Sequence, residues 1–323
     1  MARDVLLLLI TPSGWLWVTS LLVSIATLHA VTERLASALT ASYRAYHRWE
    51  FVELCHDGPF VLARHTVGAH NIVVRILTSD LLYVGACFVT IGCATGSVGL
   101  CVLAFVQNDI ESSVSSELRF LLVGMMSGLY YLMLRSPLGL DGSSYMLSIT
   151  GCSVLLSSIL PAGGTGFGIC VWFVCAQLIL SYFLAGVTKV FGAVWRDGTA
   201  VGLILGSRHY GLRWGYSFFE RHAFIGRLVT HAVLVFELGF VFILVLPHSC
   251  VVGLLVIAFA FHLANATLMG LGQFVPAFLA AYPAVFYCWC QLWGTFQFAA
   301  PGDPTALARN LQLTTVMASV CCP

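Results

Sequence analysis

The sequence SYFLAGVTKVFG, residues 181–192, ends a long apolar run with a lysine at position 189. Lys189 is the only lysine in the chain, because the other 14 of the 15 Lys and Arg residues are arginines. A charged side chain inside a bilayer is costly, so one at the edge of an apolar segment needs an explanation. The structural explanation is an ammonium that snorkels to the lipid headgroups. The alternative is a role in chemistry.

The composition around this stretch is that of a membrane protein. Hydrophobic residues make up 59% of the chain, charged residues 9%, and the mean hydropathy is +0.92. A soluble domain has about a quarter of its residues charged. The expected surroundings are therefore a lipid bilayer. The net charge of +1 and the lack of a basic stripe with interleaved aromatics argue against a nucleic-acid partner.

Apolar windows of about 20 residues predict membrane-spanning helices. They predict an all-α polytopic bundle of about eight transmembrane helices, within a range of seven to nine, with additional interfacial helices. The first predicted span resembles a signal peptide, but we expect a retained helix. The predicted spans are residues 5–28, 80–106, 118–135, 145–161, 165–189, 228–247, 250–268 and 273–293.

Two segments between these spans are rich in arginine and aromatic residues. Residues 31–79 and 190–227 hold 11 of the 15 basic residues if Lys189 is counted with the second segment, a composition typical of helices at the membrane interface. The positive-inside rule then places both on the cytoplasmic side. We expect one transmembrane domain over residues 1–323, with no soluble domain, in a plasma membrane or endomembrane.

The twelve cysteines do not predict a disulfide framework or a metal site. Most lie inside apolar runs, where a thiol behaves as a small hydrophobic side chain. The spacing of a zinc site is missing. Cys55 with His56, and His248 with Cys250, are the only weak metal-binding candidates, so no metal is predicted.

Polar residues within the predicted spans or at their ends are the candidate functional residues. They are Asp80, Asp141, Lys189, Glu237, His262 and Asn265, with Asp80 starting the second span shortly after Arg75. Asp141 has a structural explanation as a helix cap. His262 and Asn265 can hydrogen-bond across helices as packing contacts. Glu237 needs a partner or a proton, because it lies well inside an apolar segment.

A functional interpretation combines these groups. A partly desolvated Lys189 could act as a general base. Glu237 or Asp141 could orient it, and His262 could polarise a carbonyl or relay a proton. Desolvation favours the neutral amine and a nearby carboxylate favours the ammonium, so the residues alone leave the charge state open.

Three blocks of the chain resemble the HTTM family, the membrane module shared with vitamin K-dependent gamma-carboxylase. The first is DGSSYMLSITGCSVLLSS at 141–158, a polar start to a membrane helix. The second is YFLAGVTKVFGAVWRDGTA at 182–200. The third is ELGF at 237–240 followed by FHLANATLMGLGQFVPAFLAAYPAVF at 261–286. Together they cover most of residues 141–286.

The resemblance implies roles for individual residues. Lys189 falls on the family's catalytic base, which deprotonates reduced vitamin K, so a reduced quinone is the implied cofactor. Glu237 falls on the family's acidic position and His262 on its histidine, which makes both implied catalytic residues. The implied cofactor contacts are Asp141, Ser143, Tyr145, Trp195 and Asn265.

Two departures argue against a full gamma-carboxylase. Ser143 stands where the carboxylase has a histidine, and the chain ends at Pro323 without the substrate-recognition domain. A carboxylase-like or epoxidase-like lyase activity stays open. Short bacterial members mature a secreted peptide toxin, so a secreted peptide substrate or an accessory protein is a possible partner. The alternative is a non-catalytic accessory, lipid-binding or transport protein. The family resemblance also implies that the lysine's end lies on the lumenal or extracytoplasmic side, opposite to the side given by the positive-inside rule.

Overall fold

The computed structural model describes residues 9–40, 71–107, 115–136, 140–207 and 213–298. These residues form helices and contain no strand, as expected for an all-α protein. Seven of the helical segments are long and apolar enough to cross a membrane. They are Pro12–Leu39, Asp80–Gln107, Ser116–Leu134, Thr165–Phe191, Ala223–Val245, His248–Met269 and Phe274–Trp293.

We number the helices in chain order. They are α1 (Pro12–Leu39), α2 (Ile72–Leu77), α3 (Asp80–Gln107), α4 (Ser116–Leu134), α5 (Gly142–Ile159), α6 (Thr165–Phe191), α7 (Ala193–Arg196), α8 (Ala200–Leu205), α9 (Arg213–Arg221), α10 (Ala223–Gly239), α11 (His248–Met269), α12 (Phe274–Leu279) and α13 (Tyr282–Phe298). A 3₁₀ segment, Phe240–Val245, continues α10.

The remaining predicted span, 145–161, is a helix of a different character. It corresponds to α5, where serine and threonine occupy seven of the 18 positions. This helix is not among the seven apolar candidates. Eleven of its residues are buried, including most of its hydroxyl side chains. The hydroxyls are therefore shielded from the surroundings by protein.

The two segments predicted to lie at the interface are helical where the structure describes them. α1 continues without a break to Leu39, so residues 31–39 extend the first candidate spanning helix. Residues 41–70 lie outside the described residues. The 190–227 segment contains the short helices α7, α8 and α9. The interfacial position of both segments stays a prediction.

The chain divides into two compact units. The first unit is Leu16–Cys170, and the second comprises Met1–Trp15 and Val171–Pro323. The prediction of a single domain over residues 1–323 stays a prediction.

Small residues bring the helices of the first unit together. A Cβ atom at Gly124 would lie 2.8 Å from the Cys93 sulfur, and one at Gly128 would collide with the Thr90 hydroxyl. α3 and α4 therefore approach closely at these two glycines, as small residues allow in membrane helices. A Cβ at Gly151 of α5 would in turn meet Met126 of α4.

One end of the first unit holds a buried arginine. Arg135 follows α4, and its guanidinium donates to the Thr78 carbonyl (3.2 Å) and to Asp80 Oδ1 (3.1 Å). Asp80, which attracts notice in the sequence next to Arg75, therefore pairs with Arg135. These bonds join the end of α4 to the turn between α2 and α3.

The second unit positions α6, α10, α11 and α13 around one another. Trp289 of α13 donates its indole N–H to the Leu246 carbonyl (2.8 Å), just beyond the 3₁₀ segment. α11 ends at Gly270, whose φ of +71° is the left-handed conformation favoured for glycine. The candidate functional residues Lys189, Glu237 and His262 lie in this unit.

Candidate functional site

Lys189 and Glu237 form an ion pair between α6 and α10. The Lys189 Nζ atom lies 2.5 Å from Glu237 Oε1 and 2.6 Å from Oε2. The Glu237 side chain is 3% exposed and that of Lys189 is 23% exposed. Both carboxylate oxygens thus accept from the same ammonium in a largely buried position. The sequence predicts that Glu237, inside an apolar segment, needs a partner or a proton, and Lys189 is its partner.

A glycine allows the two helices to approach at this point. Gly186 lies one turn before Lys189 on α6, and a Cβ there would be 3.0 Å from Leu238 and 3.1 Å from the Glu237 Cβ. A larger side chain would push α10 away from α6. The close approach is what allows the ammonium to reach both oxygens of a carboxylate on the neighbouring helix.

Trp195 also contacts the ammonium. Its ring centroid is 5.2 Å from Lys189 Nζ, within the range of a cation–π contact. α6 ends at Phe191, and the Gly192 N–H donates to the Lys189 carbonyl (2.9 Å) as the chain turns into α7. This turn returns Trp195 to the lysine. The structure therefore brings together Lys189, Glu237 and Trp195.

The geometry favours a charged pair over a snorkelling lysine. An ammonium bonded to both oxygens of a carboxylate is a charge-assisted contact, which is stronger than a neutral one. Removing one partner would leave a buried charge uncompensated, at a cost of about 3–5 kcal/mol. Transfer of the shared proton to Glu237 would give a neutral amine beside a neutral acid, with no change in the net charge of the pair.

A turn next to Trp195 carries further polar groups outside the spans. Asp197 accepts hydrogen bonds from the Thr199 N–H (2.9 Å) and hydroxyl (2.6 Å). These bonds lower the pKa of the Asp197 carboxyl below its usual value. Gly198 has a φ of +82°, and a Cβ there would lie within 3.0 Å of Arg227. A glycine is therefore required in this turn.

His262 belongs to a second polar centre in the same unit. Its Nε2 atom lies 2.7 Å from the Tyr182 hydroxyl, which in turn lies 3.4 Å from the Tyr282 hydroxyl. All three side chains are buried. The chain of hydrogen bonds therefore joins α6, α11 and α13. The other ring nitrogen, His262 Nδ1, is buried without a hydrogen-bond partner among the described residues.

The two polar centres share the interface between α6 and α10. Tyr182 precedes Lys189 by seven positions on α6, which is two helical turns and about 10 Å along the axis. The Tyr182 ring contacts Phe236 and Phe240 of the α10 segment, with centroids 5.3 and 4.3 Å away. These phenylalanines lie on either side of Glu237 in sequence.

Asn265 lies one turn beyond His262 near the end of α11. Its main-chain carbonyl accepts from the Leu271 N–H (3.3 Å), as part of the helix ending at Gly270. The residue is half-buried. Its predicted contact with a cofactor stays a prediction.

Asp141, Ser143 and Tyr145 belong to the first unit. Asp141 Oδ1 accepts from the Ser144 N–H (2.8 Å) and from the Ser143 hydroxyl (2.7 Å). Asp141 thus caps α5, which is the structural alternative the sequence offered. Tyr145 is 55% exposed. Their predicted role in cofactor binding stays a prediction.

Two residues of the second polar centre, Tyr182 and Tyr282, are not among the candidates predicted from the sequence. Tyr182 lies within the block that carries the family resemblance, and Tyr282 starts α13. The seven-residue spacing of Tyr182 and Lys189 places both on one face of a helix, and this signal could have identified Tyr182. Nothing in the sequence pairs Tyr282 with Tyr182, because that contact depends on how α13 packs.

The described residues hold no group of three or more His, Cys, Asp and Glu side chains arranged to bind a metal ion. Of the weak candidates, Cys55 and His56 lie outside the described residues. Cys250 is an exposed free thiol.

No family model, no curated protein and no solved structure matches the chain. The resemblance to the HTTM family therefore depends on the three sequence blocks alone.

Proposed function

We propose that this multi-pass membrane protein is an HTTM-like enzyme in which Lys189 deprotonates a reduced, quinone-like cofactor. The observation that carries the proposal is the buried ion pair of Lys189 with both oxygens of Glu237. Structural ion pairs also occur in membrane helices. This one includes the chain's only lysine, within a motif that resembles a catalytic block.

The pair is suited to taking a proton from a hydroquinone hydroxyl. Lys189 would pass its proton to Glu237 and become a neutral amine. That amine would take a proton from a hydroxyl group of the reduced cofactor and hold it as an ammonium beside protonated Glu237. The cofactor would supply the ionisable hydroxyl, and the ammonium would stabilise the negative charge left on it in a low-dielectric site.

The indole of Trp195 also contacts the Lys189 ammonium, which supports this chemistry. An aromatic face at cation–π distance holds the ammonium in place without offering it a second base. The product of such a reaction would be an epoxidised cofactor or a modified secreted peptide, as the family resemblance implies. The enzyme class implied is a carboxylase-like or epoxidase-like lyase.

A second candidate function is a non-catalytic accessory, lipid-binding or transport protein. One observation favours it, since Lys189 and Glu237 join two helices where Gly186 brings them together. A pair of this kind would also serve to hold the helices in register. The two candidates differ in whether the lysine must lose its proton.

Lys189→Arg separates them, because a guanidinium keeps the charge and the paired geometry but does not release its proton. The assay uses purified protein in lipid nanodiscs with a reduced isoprenoid quinone and dissolved oxygen. A hydroquinone anion passes two electrons to dioxygen more readily than the neutral form, giving quinone and hydrogen peroxide. Oxygen uptake therefore reports deprotonation.

For a base, we expect Lys189→Arg to lower the protein-dependent rate by about 10²-fold or more. Arg75→Lys is the matched control, because Arg75 is exposed on α2 in the other unit. Equal rates for Lys189→Arg and wild type would refute the base and favour the accessory function.

A further inference from the structure

We infer that an exposed arginine patch beside the end of α6 binds the phosphate of an anionic phospholipid. The patch consists of Arg196, Arg227 and the turn at residues 197–199, all in the second unit. It lies where one candidate spanning helix, α6, ends at Phe191 and another, α10, begins at Ala223. The inference depends on this surface only, and it is independent of whether Lys189 acts as a base.

The first observation is an exposed face of α10 that is partly apolar and partly basic. Its residues are spaced by three or four positions, which places them on one side of the helix. They are Phe224, Arg227, Leu228, His231 and Val235. All five are exposed, Phe224 by 78% and Leu228 by 59%. In a helix that crosses a bilayer, an exposed apolar face of this kind contacts lipid.

Arg227 needs a polar or anionic partner on this face, because a charged side chain among acyl chains is costly. It lies four residues after the start of α10, which is about 6 Å along the helix axis. Side chains on a helix point toward its N-terminus. The Arg227 guanidinium can therefore extend to the lipid headgroups at that end of α10.

Three contacts hold the turn after α7 against the same face of α10. A Cβ atom at Gly198 would lie 2.8 Å from the Arg227 Cγ atom. The Nε2 atom of His231 donates to the main-chain carbonyl of Arg196 (3.1 Å), since a carbonyl can only accept. Asp197 is near enough to Arg227 and His231 to interact electrostatically with both. Arg196 and Arg227 therefore belong to one surface.

The arginine patch carries more positive than negative charge. Its carboxylate, Asp197, accepts from the N–H (2.9 Å) and the hydroxyl (2.6 Å) of Thr199. The Arg196 guanidinium donates to two main-chain carbonyls at the end of α6 (3.4 and 3.3 Å), which are uncharged acceptors. Within the described residues, neither Arg196 nor Arg227 takes part in an ion pair. One carboxylate beside two guanidiniums leaves an excess of positive charge.

These properties select a phospholipid with a net negative charge. A guanidinium binds a phosphate group through charge-assisted hydrogen bonds, which can be paired. Basic clusters at the membrane surface attract anionic lipids for this reason. The acyl chains of such a lipid can lie along Phe224 and Leu228, whereas a free phosphate ion would gain nothing from these apolar residues. A zwitterionic headgroup has no net charge with which to offset the excess.

Native mass spectrometry of the purified protein in detergent provides the test. The probes are phosphatidylglycerol and phosphatidylcholine with identical acyl chains, so that they differ in net charge. We expect phosphatidylglycerol to bind with the lower Kd. Arg227→Gln should raise that Kd about fivefold, as expected for one arginine near an anionic lipid surface, and should leave the Kd of phosphatidylcholine unchanged. Arg227→Lys keeps the charge and should retain most of the difference.

Arg75→Gln is the matched control, because Arg75 is also exposed near the end of a short helix but lies in the other unit. It should leave the Kd of phosphatidylglycerol unchanged. Arg196→Gln is a second variant in case Arg227→Gln does not fold, and it should also raise this Kd. Glycerol phosphate, which has the phosphate group but no acyl chains, should not displace the lipid.

The possible outcomes are distinct. Equal Kd values for the two lipids in the wild-type protein would overturn the inference. An equal loss in Arg75→Gln and Arg227→Gln would also overturn it, because the attraction would then be common to exposed arginines. Displacement by glycerol phosphate would assign the patch to a soluble phosphate instead of a lipid. Lipid binding is measured without the oxygen-uptake assay, so failure here leaves the proposed function unaffected.

Discussion

Glu237 is almost completely buried in α10, and both of its oxygens face the Lys189 ammonium. Each of these two residues is costly in a bilayer without the other. The pair as a whole is cheaper than either half, because the charges offset one another over a short distance. The stability of this region and its chemistry therefore depend on the same contact.

A double-mutant cycle tests this dependence at the residue scale. Lys189→Met and Glu237→Met should each destabilise the protein by about 3–5 kcal/mol, because each leaves one unpaired buried charge. The double variant should be closer to wild type than either single variant, since it buries two apolar side chains of similar size. The measurement is the free energy of unfolding in mixed micelles, followed by circular dichroism.

The cycle also checks the geometry of the pair. Lys189→Met with Thr95→Ala serves as a control, because Thr95 is exposed on α3 in the other unit and its hydroxyl donates to the Ile91 carbonyl of its own helix. That combination should be additive within about 0.5 kcal/mol. Additive losses for Lys189→Met and Glu237→Met would show that the two side chains do not interact.

At the scale of the helix, α6 carries three glycines, and two of them, Gly168 and Gly186, have different surroundings. Gly186 faces α10, and a Cβ added there would lie 3.0 Å from Leu238. Gly168 has nothing within 4 Å of an added Cβ. The same substitution at these two positions therefore separates the effect of helix packing from that of helix propensity.

Gly186→Ala should cost about 1–3 kcal/mol, as expected for overpacking, and should weaken the Lys189–Glu237 contact. Gly168→Ala should change stability by no more than about 1 kcal/mol, and in the stabilising direction. Thermal unfolding in detergent compares the two variants. Similar destabilisation at both positions would contradict a close approach of α6 and α10 at Gly186.

α5 gives a second prediction at this scale, through its cap. Asp141→Asn preserves an N-cap acceptor and should leave stability unchanged, whereas Asp141→Ala should cost about 1 kcal/mol. Quinone binding by both variants is measured alongside. Unchanged binding for Asp141→Ala would leave Asp141 with its capping role alone, and a loss in Asp141→Asn would reveal a need for its charge.

The apolar runs predicted most of the helices, because a segment that crosses a bilayer must be long and apolar. The candidate site was harder to predict. Lys189 and Glu237 are conspicuous in the sequence because charge is rare there, but their contact depends on Gly186. The hydrogen bonds of Tyr182 to His262 and to Tyr282 depend on three helices packing together. Tyrosines are also common in apolar runs, so these two do not stand out in the sequence. The apolar window at 145–161 did predict α5, although its serine and threonine side chains lower its hydropathy.

For the whole molecule, the number of membrane crossings depends on α5. Hydropathy counts seven spans and omits this helix. Its 18 residues are about 27 Å long, close to the thickness of the hydrocarbon core. A Cβ added at Gly151, near the centre of α5, would meet Met126 of α4 and lie 3.4 Å from Val23 of α1. The serine and threonine side chains of α5 are buried in the protein, and Ser148 donates to the Met133 sulfur of α4, so a low hydropathy is compatible with crossing.

We predict that α5 is the eighth crossing helix, so that its two ends lie on opposite sides of the membrane. A protease recognition site inserted after Ser79 marks the side on which α3 starts, and one inserted after Ala162 marks the turn after α5. α3, α4 and α5 are three crossings, so the two sites should be cleaved from opposite faces of sealed vesicles. A third insertion after Ser115, two crossings away from the turn after α5, should share the side of Ala162. Cleavage of the Ser79 and Ala162 insertions from the same face, with Ser115 on the other, would mean that α5 enters the bilayer without crossing it.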